Sequence, residues 1–188
     1  MPNIYDGMQI EKAGLTFVVN FPSDGDFDAP WENSDGHGPV RKSTKRHVDG
    51  YSDKRPGERP LNSPSRNEYQ FYYDWQAAVN LAKVDGWNTK PYDAPNRIER
   101  AVLADFNYLS GYLNDGWNYI GVTVDLLDEE GETVDGYDRS LWGSASNAGD
   151  YLLTVANELV DEIISQIENE KKKERINNRF QDAMQCGL

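Results

Sequence analysis

Residues 117–127, WNYIGVTVDLL, constrain the fold more than any other stretch of the chain. Ile120, Val122, Val124 and Leu126 point one way while Thr123 and Asp125 point the other, the two-residue period of a strand with one dry face and one wet face. DEEGE at 128–132 reads as a turn, and a second strand is predicted from about Glu132 to Trp142. A hairpin with a polar outer face belongs to an antiparallel sheet. Residues 14–21, GLTFVVNF, alternate in the same way, with Leu15, Phe17, Val19 and Phe21 on one face, and predict a further strand.

Three helices are expected around these strands. Ser65 and Glu68 match a capping box, which predicts a helix from there to about Val84 with Tyr72, Trp75, Val79 and Ala82 as its buried stripe. DGW at 85–87 ends it. Asp93 and Pro95 open a second helix whose face is Ile98, Val102, Phe106, Leu109 and Leu113, stopped by NDG at 114–116 with a glycine cap. Asn147 caps a third, with Leu152, Val155, Leu159, Ile163, Ile164 and Ile167 on one side. Residues 22–64 hold six of the nine prolines and no apolar period, so they read as a long, partly mobile loop. The expectation is an α+β fold: a small antiparallel sheet, made of the N-terminal strand and the hairpin, packed against three helices. One domain would cover 1–170, and 171–188 would be a basic, fraying tail.

Charge is unevenly distributed along the chain. Of the net −13 over 188 residues, residues 105–170 carry −14, from 15 acids against Arg139. Residues 41–59 hold seven bases against Asp49, Asp53 and Glu58. An acidic field repels nucleic acid and attracts basic partners, so direct nucleic-acid binding is not expected. The single cysteine, Cys186, makes no intrachain disulfide and suits a reducing compartment. No apolar run approaches the roughly 18 residues of a membrane span, and the first twelve residues do not read as a signal peptide. A cytoplasmic protein is expected.

Catalytic signatures are missing: no phosphate-binding Walker loop, nucleophile elbow, H-E-x-x-H or paired C-x-x-C occurs. Two histidines and one cysteine do not make a zinc site within one chain. Asp24, Asp26, Asp28, Glu32 and Asp35 fall at positions 1, 3, 5, 9 and 12 of a calcium loop, but Ala29 stands where glycine is required and Pro30 follows it. A divalent cation such as calcium or magnesium on Asp24, Asp26, Asp28 and Asp35 is therefore one alternative, and a metal-dependent hydrolase using Asp24, Asp26, Asp28 and His37 is another. A third is a small, nucleotide-like ligand held by Trp31, Glu32, Asp35 and His37, with bases of 41–59 on its phosphates; Tyr51 and His47 stacked on a base belong to the separate reading of 41–59 as a nucleic-acid contact. The plain reading of 28–40 is a loop anchored by Trp31, with Gly36 and Gly38 supplying positive φ.

Acidic residues carry the main expectation. Glu158, Asp161, Glu162 and Glu168 flank the apolar stripe of the last helix, and Asp128, Glu129, Glu130 and Glu132 crowd the hairpin turn. Carboxylates three or four residues apart on a helix are about 5–6 Å apart. A rigid face so spaced can imitate a duplex backbone. The stretches APWENSDGHGPV and WNYIGVTVDLLDE, with DKRPGERPL, YDWQAAVNLAKVDGW and SLWGSASNAGDYLLTVANEL, resemble a group of small proteins from tailed bacteriophages and prophages over roughly residues 9–165. That resemblance implies an origin and assigns no residue a role. With it, the expected function is a non-enzymatic accessory protein, in the host cytoplasm, that binds a basic DNA-handling or defence protein without a cofactor. The apolar stripe of the last helix would also serve a homodimer.

Overall fold

The alternation at 117–127 and 14–21 is realised as strands in a computed structural model, which describes residues 4–33, 36–48, 51–87 and 96–185. In chain order the elements are β1 Met8–Lys12, β2 Leu15–Asn20, a short 3-10 turn Pro30–Glu32, β3 Val40–Arg46, β4 Glu58–Pro60, β5 Tyr69–Asp74, α1 Trp75–Val84, α2 Arg97–Leu113, β6 Tyr119–Leu127, β7 Thr133–Ala145 and α3 Asp150–Gln185. The fold is α+β, with a four-stranded and a three-stranded antiparallel sheet and three helices. Where one body was expected over 1–170, the chain divides into two compact units: residues 1–25 with 118–188, and residues 26–117.

The first unit is the sheet β1-β2-β6-β7 with α3 on one face. Phe17 and Val19 of β2 join Ile120, Val122, Val124 and Leu126 of β6 against Leu152, Val155, Ala156, Leu159, Val160 and Ile163 of α3. All twelve are buried, and each large one contributes about 1.5–3 kcal/mol over its exposed state. β1 was not foreseen. It is an edge strand of five residues with only Met8 and Ile10 turned to the core, so its alternation is too short to stand out. A helix was expected to fray into the basic tail, yet α3 continues to Gln185. Asp150 in its first turn is favoured by the helix dipole, and Lys171, Lys172, Lys173, Arg175 and Arg179 follow in its C-terminal half.

The second unit is the sheet β3-β5-β4 with α1 and α2. Its core joins Leu61, Tyr73, Ala78, Ala82, Val102 and Leu109, with Trp31, Phe71, Trp75 and Phe106 packed around them. Two expectations fail here. The helix predicted from Ser65 begins only at Trp75, where the Asp74 carboxylate accepts the Ala77 N–H at 2.9 Å. Glu68 does reach back to the Ser65 N–H at 2.7 Å, as in a capping box, but the aromatic run YQFYYD then pairs as the central strand β5. The supposed loop 22–64 contains β3 and β4, both edge strands. Lysines and arginines along β3 and Pro60 in β4 protect those edges and hide the strand period.

Helix ends follow local chemistry. Gly86 takes φ +69° and Trp87 N–H bonds to Ala82 O, ending α1 as DGW predicts. At the end of α2 the left-handed residue is Asp115, at φ +56°, and not the expected Gly116. Gly116 instead lies against the backbone of Gly111, with its N–H on Gly111 O at 2.8 Å. Asp93 and Pro95, proposed to open α2, lie outside the described residues, as does Cys186.

Candidate functional site

The first unit collects the acids. It has 18 acids against 7 bases, and the second unit has 14 against 12, so −11 of the net −13 belongs to the first. On α3, Glu158, Asp161, Glu162 and Glu168 are exposed between the buried positions Leu159, Val160 and Ile163. They are not equally free. Lys12 of β1 pairs with Asp161 at 2.7 Å, and Arg139 of β7 lies 3.6 Å from Glu162. Glu158 and Glu168 have no ion pair among the described residues.

The hairpin turn is acidic and ordered. Glu129, Glu130 and Glu132 are exposed. Asp128 is exposed too, but its Oδ1 accepts the N–H groups of Glu130 at 3.0 Å and Glu132 at 2.9 Å. Half of that carboxylate therefore builds the turn. On the hairpin, Asp125 and Asp138 stand directly opposite each other. Burial first, and then the Asp138 charge, raise the Asp125 carboxyl above its usual range.

Asp24 belongs to the first unit, where its Oδ2 accepts the Gly143 N–H at 3.1 Å; Asp26 and Asp28 belong to the second. Asp35 lies outside the described residues. Among the described residues no three His, Cys, Asp or Glu side chains gather to hold a metal ion. Trp31 packs on Phe71 and Tyr112, with ring centroids 5.3 and 5.9 Å away, and Glu32 beside it stays exposed.

His37 has a partner that the sequence did not single out. Its Nδ1–H points at Asp105 Oδ1 of α2, 2.5 Å away, and its ring stacks on Tyr108 at 5.5 Å. Asp105 Oδ2 accepts the Gly38 N–H at 2.9 Å and the Tyr73 hydroxyl at 2.7 Å. Burial, and then that bond to Asp105, push the Tyr73 hydroxyl well above its usual range, so it stays protonated as a donor. Gly38 does not take a positive φ; it is glycine because a Cβ there would run into the Tyr73 ring. One carboxylate thus ties the loop to β5 and α2. The cluster is satisfied from within and clamps the loop in place.

A third constellation lies on β3 and the segment after it. Arg41 gives Nε and Nη2 to the two oxygens of buried Glu58, each at 2.7 Å, and Nη1 to Asp53 at 3.3 Å. Asp53 also accepts the Thr44 N–H at 2.8 Å and the Thr44 hydroxyl at 3.0 Å. Arg59 stacks on Trp75 at 3.3 Å, and Lys42 on Tyr69 at 4.0 Å.

No helix among the described residues is long and apolar enough to cross a membrane. Comparisons with protein-family models, with curated proteins and with solved structures find no match for the chain. The likeness to phage proteins rests on the quoted sequence stretches alone.

Proposed function

We propose that the protein is a non-enzymatic binding protein that presents the acidic surface of its first unit to a basic, DNA-handling or defence protein of a phage host, and inhibits it by occlusion. The observation that carries this reading is the concentration of −11 in one compact unit. α3 holds Glu158, Asp161, Glu162 and Glu168 on a packed and therefore rigid helix, so the backbone under the carboxylates is ordered in advance and only side-chain rotamers remain to be fixed on binding. Phosphates along a duplex strand recur at similar intervals, and a cationic groove built for them would accept this array. The hairpin acids Glu129, Glu130 and Glu132 extend the same negative field.

Affinity capture from a bacterial host lysate tests the reading, with the whole chain as bait at low and raised salt. A nuclease or other DNA-binding protein should be recovered at low salt and lost at raised salt. Reversal of Glu158, Asp161 and Glu162 to lysine should abolish that recovery and the inhibition of the partner. Inhibition that survives the triple reversal would refute the acidic-surface reading.

A further inference from the structure

A cavity of about 250 Å³ opens in the second unit, lined among others by Lys45, His47, Tyr51, Lys54, Gln70 and Tyr72. Its walls are fastened before any ligand arrives. Asp53 is bound by Arg41 and Thr44 of β3, and the Tyr51 and Thr44 hydroxyls meet at 2.7 Å. The segment 51–54 is thereby stapled along β3, and the cavity lies beside the staple.

The charges around it are out of balance in one direction. Both acids of the segment 51–59, Asp53 and Glu58, are engaged by Arg41. Lys45 and Lys54 on the cavity wall have no carboxylate partner among the described residues, and His47 stands with them. In a chain of net −13, two lysines in one small cavity with no carboxylate among its described lining residues are a local reversal of sign. An anion is the ligand that such a wall accepts. Tyr51 adds aromatic surface, which a planar ring would cover, whereas Tyr72 beside it is buried with Arg41 over its ring. At about 250 Å³ the space is smaller than the range of about 300–1,000 Å³ for drug-sized ligands, so it would take up part of a single nucleotide and leave the rest at its mouth.

We infer that this cavity is a binding site for a nucleoside monophosphate, with Lys45, Lys54 and His47 on the phosphate and the base against Tyr51. The site belongs to the second unit and uses none of the acidic residues of the first, so either reading can fail alone. This site draws on the cations of 41–59 and not on Trp31 and Glu32 of the preceding loop.

Isothermal titration of the whole chain with AMP, GMP, CMP and UMP tests it, beside inorganic phosphate, adenosine and an eight-nucleotide thymidine strand as comparison probes. At least one monophosphate should bind at least about tenfold more tightly than phosphate or adenosine. Lys45→Glu and Lys54→Glu should each weaken that binding about tenfold or more, and Tyr51→Ala should weaken it as well, while Lys83→Glu on α1 should not. Lys45 and Lys54 are exposed, and unchanged circular dichroism would show that their variants fold. The inference is overturned if no monophosphate binds at millimolar concentration, if phosphate binds as tightly, if only the strand binds, or if the lysine variants bind as the parent does.

Discussion

Ala13 sits at φ +55° in the two-residue turn between β1 and β2, and Gly14 follows at φ +74°. This is the turn geometry that favours asparagine followed by glycine, and an alanine Cβ there is crowded by its own backbone. Ala13→Asn is expected to stabilise the protein by about 0.5–1 kcal/mol, read as a higher urea midpoint at unchanged slope. A second residue-scale effect comes from Asp53 and Glu58. Hydrogen bonds from Thr44 foremost, and from Arg41, bring the Asp53 carboxyl down to about 2, and Arg41 foremost lowers Glu58. Groups held below their unfolded values stabilise the folded state at higher pH. This contribution is complete above about pH 4.5 and is lost as the pH falls toward about 2. Urea titrations between pH 5 and 2 should show a steeper loss of stability for the parent than for Asp53→Asn. None of this was legible beforehand: Asp53, Glu58 and Arg41 are separated along the chain, and only the pairing of β3 and β4 with β5 brings them together.

At the scale of elements, α3 is one helix with two halves. Val160 and Ile163 are fully buried against the sheet, whereas Ile176 is 57% exposed. Ile163→Ala should cost about 2–5 kcal/mol through lost burial and a cavity, and Ile176→Ala should stay within about 0.5 kcal/mol. Equilibrium unfolding of the two variants decides it; equal costs would contradict the packing described. The buried half was legible because its apolar residues recur with the helical period. β3 was not legible, because an edge strand written VRKSTKR turns only Ser43 fully inward. The segment 65–74 was misread for a further reason. Its local capping signal was genuine, but six residues rich in tyrosine and phenylalanine gain more by pairing on both sides than by extending a helix.

For the whole molecule, charge is the dominant feature. The first unit, at −11, repels itself, and salt screens that repulsion: the Debye length falls from about 30 Å at 0.01 M to about 8 Å at 0.15 M. Raising sodium chloride across that range should increase Tm by about 2–4 °C, as followed by circular dichroism, with a smaller rise for the triple reversal on α3. The sequence alone determined the α+β class, the β6–β7 hairpin, the apolar face of α3 and the net charge, because each is written in period or composition within one short stretch. The tertiary structure alone decided that Asp105 clamps His37, Gly38 and Tyr73, that Asp53 and Glu58 are consumed by Arg41, and that Lys45 and Lys54 are left facing a cavity. The hydrogen-bonded pairs among them lie 12 to 68 positions apart, and no local period records which distant side chains the packing brings within hydrogen-bond reach.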